Sequence, residues 1–150
     1  MNTKRQIDNF LTQQSFAIVG VSRSGKKFGN AVYRMFKERG CRVYPINPYG
    51  DHVEGDRCFS HLKDLPEKVG GVVLVVPPRE SEQVVKEAAE AGIRHVWMQR
   101  GSESRRAVDY CEQYGLNAVS GLCILMFAEP VTSLNKLHKW TLKILHRLPR

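Results

Sequence analysis

The sequence lacks any apolar stretch long enough to cross a bilayer. Its longest uninterrupted runs, 72–78 and 122–128, stop far short of the roughly 20 residues a spanning helix needs. Cysteine is scarce and unpatterned: Cys41, Cys58, Cys111 and Cys123 form no CxxC pair and share no repeating spacing. A disulfide framework and a zinc site are therefore not expected, no metal is assigned, and the four are read as reduced thiols. Residues 1–6 are polar and lead into a mixed stretch at 8–14 without the apolar block of a secretory signal, so the expectation is a cytoplasmic protein. Internal repeats, low-complexity tracts and long linkers are also missing. What remains is an ordinary globular composition, 42% hydrophobic and 25% charged, in 150 residues. One domain of that length buries about 70% of the surface its unfolded chain exposes, enough for a core without staples.

Acidic residues are in short supply too, and unevenly so. The formal charge is +8, and residues 22–42 carry Arg23, Lys26, Lys27, Arg34, Lys37, Arg39 and Arg42 against Glu38 alone. Residues 131–150 carry Lys136, Lys139, Lys143, Arg147 and Arg150 with no acid. Concentrated positive potential attracts a phosphorylated ligand, nucleic acid or an anionic membrane surface; the bland reading of either patch is a solvated face.

The apolar pattern alternates between short runs and helical spacing. Residues 15–21 (SFAIVGV) read as a buried strand, 30–39 as a helix through Val32, Met35 and Phe36, and 41–46 as a second strand followed by turns through Gly55. Residues 71–76 (GVVLVV) read as a central parallel strand covered on both faces. Ser81 is the expected cap of a helix through Ala91, after which come a strand at 94–99, a helix at 103–114 and a last strand at 116–120. This order predicts an α/β fold, a doubly wound and mostly parallel Rossmann-like sheet in a single domain. Ligands then bind beyond the carboxyl ends of the strands, where the winding reverses beside the first strand.

The loop at that place, 20–29, is GVSRSGKKFG. Glycines admit phosphate oxygens close to backbone N–H groups, the next helix presents its positive end, and Arg23, Lys26 and Lys27 add charge. A P-loop pattern is satisfied from Gly20 to Lys26 but fails at Lys27, where a hydroxyl would hold Mg²⁺. The dinucleotide fingerprint is met at its outer places by Gly20 and Gly25 and fails at Ser22. The second strand ends in neutral Asn47 where an NAD site expects an acid, which suits a ligand with an extra phosphate on its ribose. At the predicted crevice there are no paired carboxylates and no Ser/His/Asp or Cys/His set, so catalysis is not expected.

Gly20-Val21-Ser22, Tyr44-Pro45-Ile46-Asn47-Pro48, Val75-Val76-Pro77-Pro78, Val96-Trp97-Met98-Gln99-Arg100-Gly101 and finally Cys123 follow one another along the chain. In that order they resemble the signatures of the small CoA-binding protein family, a Rossmann-like fold similar to the N-terminal domain of the succinyl-CoA synthetase α subunit. The resemblance covers roughly residues 10–130 and implies non-catalytic binding of coenzyme A or an acyl-CoA. It implies that Gly20, Ser22, Arg23 and Lys26 take the CoA phosphates and that Asn47 and Pro48 lie beside the adenosine 3′-phosphate. Val76, Pro77 and Pro78 would line the adenine and pantetheine path. Two places depart from the family pattern: Gly25-Lys26-Lys27-Phe28 replaces a common proline and second serine, and Gly121-Leu122-Cys123 replaces Asp-Arg-Cys. The synthetase's second domain, with its phosphorylated histidine, has no counterpart in these 150 residues.

Three further readings stand beside this one. Cys123 is a thiol near the site, open to disulfide exchange with CoA if accessible, though a cysteine between Leu122 and Ile124 also reads as a small buried group. Residues 132–148 form a basic amphipathic pattern, with Leu134, Leu137, Ile144 and Leu148 on one face, expected to pack on the same domain as a C-terminal helix. The partner expectation is small-molecule CoA or acyl-CoA, no nucleic acid, no membrane span, and a monomer or homodimer. The alternatives are an NAD(P)- or other nucleotide-binding Rossmann protein, or a nucleic-acid binder using the basic patches with Phe28, Tyr33 and Trp140 as stacking residues.

Overall fold

The computed structural model describes residues 2–127, so the amphipathic pattern of 132–148 lies outside the described residues. Chain order is α1 (Lys4–Leu11), β1 (Ser15–Val19), α2 (Phe28–Glu38), β2 (Arg42–Ile46), a hairpin of β3 (His52–Val53) and β4 (Asp56–Arg57), β5 (Gly71–Leu74), α3 (Pro78–Glu90), β6 (His95–Gln99), α4 (Arg105–Gln113) and β7 (Asn117–Leu122). Five strands form one parallel sheet in the order β2-β1-β5-β6-β7. The expected doubly wound α/β architecture is present.

The pleat divides the core in two. Phe16 and Ile18 of β1, Val73, Trp97 and Val119 face α1 and α2; Ala17, Val19, Val72, Leu74, Val96 and Met98 face α3 and α4. That is why the strands read as continuous apolar runs rather than alternating ones. Phe36, Phe16, Phe10 and Trp97 make a row of rings under the first face, with neighbouring centroids 4.2, 5.3 and 5.4 Å apart. Burying each such ring contributes about 1.5–3 kcal/mol. Trp97 and Met98 are core, and the Trp97 Nε1–H donates to the Leu122 carbonyl at 3.1 Å.

Several expected boundaries move. Helix α1 was not anticipated, because only Ile7 and Phe10 are buried in eight residues; its sequence mark is the capping box of Thr3 and Gln6. Helix α3 begins at Pro78, three residues before the expected cap. Ser81 is instead buried inside the helix and its hydroxyl donates to the Ser102 carbonyl at 2.6 Å. Strand β5 ends at Leu74 rather than 76, since the Val76 N–H turns to the Ser102 hydroxyl at 3.1 Å. Strand β7 runs past the expected end at 120 through an irregularity at Gly121, whose φ is +76°.

Candidate functional site

The winding reverses between β1 and β5: the chain leaving β1 turns to α2 on one face, and the chain leaving β5 turns to α3 on the other. The two exits touch. Gly20 has φ +110°, and a Cβ there would stand 2.1 Å from the Val75 carbonyl oxygen. A Cβ on Gly29, in the first turn of α2, would stand 2.3 Å from the Gly20 carbonyl oxygen. Gly29, not Gly25 at the outer place of the dinucleotide pattern, makes the close helix-to-strand contact.

Between these glycines the loop is folded on itself. The Ser22 hydroxyl accepts the Ser24 N–H at 3.2 Å, the Ser22 carbonyl accepts the Gly25 N–H at 3.2 Å, and the Ser24 hydroxyl accepts the Lys26 N–H at 3.3 Å. The Ser22 N–H is taken by the buried Asn30 side chain at 2.9 Å. Four loop amides are thus used internally. Those of Arg23, Lys27, Phe28 and Gly29 meet no acceptor among the described residues, and no side chain caps α2. Arg23, Lys26 and Lys27 of the same loop are exposed and make no ion pair among the described residues. Unpartnered N–H groups at a helix start, in a loop with exposed cations, can receive an anion.

The rest of the basic patch is spent within the protein. Arg34 pairs with Glu54 at 2.8 Å, Lys37 with Asp56, and Arg42 with Glu67 at 2.9 Å. Arginine donation holds the Glu54 and Glu67 carboxyls below the usual range, and the Lys37 ammonium does the same for Asp56. Tyr33 is buried and donates a hydrogen bond from its hydroxyl to Asp56, so it offers no stacking face for a nucleic acid.

At the end of β2 the Asn47 amide is committed to structure. Its Nδ2 donates to the Val21 carbonyl at 2.9 Å and its Oδ1 accepts the Tyr49 N–H at 2.8 Å, bracing the first loop against the turn. Pro48 is exposed there, and the aliphatic stem of Arg23 lies over Gly50. Val76 is half-buried and Pro77 and Pro78 are exposed at the start of α3. Two prolines remove two N–H donors from that helix start, so the anion-receiving end is that of α2 and the wall beside it is apolar. Gly20, Ser22, Arg23, Lys26, Asn47, Pro48, Val76, Pro77 and Pro78 thus gather at one end of the sheet around β1 and its two neighbours. Cys123 follows the end of β7, and the short turn after it, Ile124–Met126, packs against α2. Cys123 is half-buried as a free thiol, and the next N–H, of Ile124, is held by the Gln99 side chain at 3.0 Å. The buried Cys111 thiol is pushed up to about 12 by desolvation. Asn30 and Glu54, which hold this loop, are residues that sequence reading missed; Arg34 it named only as part of the basic patch.

Residues 14–129 match the profile of the CoA binding domain. The chain belongs to this CoA-binding family. Among curated proteins the domain is 28% identical over 129 residues to the α subunit of acetate–CoA ligase (ADP-forming) II of Pyrococcus furiosus, covering 79% of this chain and 28% of the ligase subunit. The chain spans only 12–28% of the length of the first ligases it matches. A Bacillus subtilis protein named YneT, uncharacterised, is 27% identical over 126 residues, covering 81% of this chain and 91% of its own. Among solved structures, a conserved hypothetical protein of Pyrococcus furiosus is 38% identical with a TM-score of 0.71, covering 75% of this chain and 97% of its own. Among the described residues of this CoA-binding domain no helix is long and apolar enough to cross a membrane.

Proposed function

We propose that this CoA-binding domain holds coenzyme A or an acyl-CoA at the carboxyl ends of β1, β2 and β5 without transforming it. The observation that carries the reading is the set of four unpartnered N–H groups, of Arg23, Lys27, Phe28 and Gly29, in a loop that also carries the exposed, unpaired side chains of Arg23, Lys26 and Lys27. The diphosphate lies there, with Gly20 and Ser22 shaping the loop. Asn47 contributes by bracing Val21, and Pro48 lies beside the adenosine 3′-phosphate. Val76, Pro77 and Pro78 line the pantetheine path. Ligase chemistry is a property of the much longer relatives; the step assigned to this chain is binding.

Calorimetric titration of the reduced protein with CoA, acetyl-CoA, NADP, NAD and Mg-ATP tests the reading. The expected result is micromolar binding of the two CoA ligands and little heat from the others. Lys26→Ala should weaken CoA about tenfold, the loss of one charge-assisted contact. Binding of NADP or ATP with silence toward CoA would defeat the proposal.

A further inference from the structure

The group of Asn30, Arg34 and Glu54 lies directly under the anion-receiving loop. Asn30 is fully buried; its Nδ2 donates to the Ser22 carbonyl and to Glu54 Oε1, each at 2.8 Å, while its Oδ1 holds the Ser22 N–H. Arg34 donates through Nε to Glu54 Oε2 at 3.0 Å, through Nη2 to Glu54 Oε1 at 2.8 Å, and through Nη2 to the Gly25 carbonyl. Glu54 itself sits at the tip of the β3–β4 hairpin with φ +52°, a left-handed conformation that a side-chain-bearing residue adopts at a cost. A Cβ placed on Gly25 would lie 3.7 Å from the Glu54 carboxylate, so this acid is among the nearest charges to the loop.

A carboxylate has the wrong sign to help hold phosphate, and Arg34 has the right one. Pairing them takes both out of the ligand's field and makes them a brace. We propose that Glu54 is the positioning residue of the phosphate loop, orienting Asn30 and Arg34 so that they grip Ser22 and Gly25 and leave the Arg23, Lys27, Phe28 and Gly29 amides unpartnered for the ligand. This rests on the reading of the loop as the CoA phosphate site.

The test uses the full chain and two variants, Glu54→Gln and Arg34→Gln. The readouts are hydrogen exchange of the bonded loop amides of Ser22, Ser24, Gly25 and Lys26 without ligand and calorimetric titration with CoA. Glu54→Gln removes one negative charge from beside a polyanion site, so through-space electrostatics alone would tighten CoA. Positioning gives the opposite sign: exchange at these four amides rises about tenfold while β5 and β6 stay protected, and CoA weakens about fivefold or more. Arg34→Gln cuts the same brace without touching the strained hairpin position and should raise exchange at the same amides. Unchanged exchange at these four amides in either folded variant, or tighter CoA binding by Glu54→Gln, overturns the inference. Should the unmodified protein ignore CoA, the proposed function fails, and the exchange data alone still decide whether Glu54 orders the loop.

Discussion

Gly29 shows how little space separates the binding loop from the sheet. A methyl group there must push the Gly20 carbonyl away from a position 2.3 Å from the new carbon, and the neighbour is backbone, which cannot swing aside. Gly29→Ala should therefore cost about 1–3 kcal/mol, a fall in Tm of roughly 3–10 °C. It should also weaken CoA by at least tenfold, since the displaced backbone carries the ligand amides. Thermal denaturation and titration of the variant check this, and unchanged values for both would show that α2 shifts freely. Residues of this kind were legible in the sequence as a glycine-rich basic loop, although nothing there singled out Gly29 as the close-packed position. Asn30 and Glu54 were not legible. Nothing local marks a buried asparagine that bonds eight residues back, or a glutamate whose partners are 20 and 24 residues away.

Helices and strands with an apolar stripe or a continuous apolar run were readable because tertiary packing rewards the same pattern that sequence shows. The β3–β4 hairpin was not, since it has two residues per strand and only Val53 buried. Its hold on α2 is polar: Glu54 to Arg34, and Asp56 to Lys37 and Tyr33. Both carboxyls sit below their ordinary values of 4.5 and 3.8 in the folded protein. The unfolded chain therefore binds protons first as pH falls, and the stability these pairs contribute is complete above the ordinary values and drains away below them. Between about pH 5 and pH 3 the hairpin amides 53–57 should lose hydrogen-exchange protection before those of β5 and β6, whose core is apolar. Simultaneous loss in hairpin and strands would mean that the ion pairs do not hold the hairpin.

At the scale of the whole molecule, the doubly wound topology was legible because strand-helix alternation with short crossovers permits few alternatives. The winding then dictates where a ligand sits before any side chain is considered, and the basic loop supplies the chemistry at that place. The described residues 2–127 already contain both halves of the core, all five parallel strands and four helices. The family match ends at residue 129. A chain ending at residue 130 should therefore fold and bind CoA with an affinity within about threefold of the 150-residue protein, because every proposed contact lies in 20–78. The basic residues of 131–150 would add only a long-range attraction, and this should vanish as salt is raised past a Debye length of about 8 Å. Titration of both lengths at low, physiological and high salt separates the terms. A difference that persists at high salt would place the last twenty residues against the bound ligand or the core.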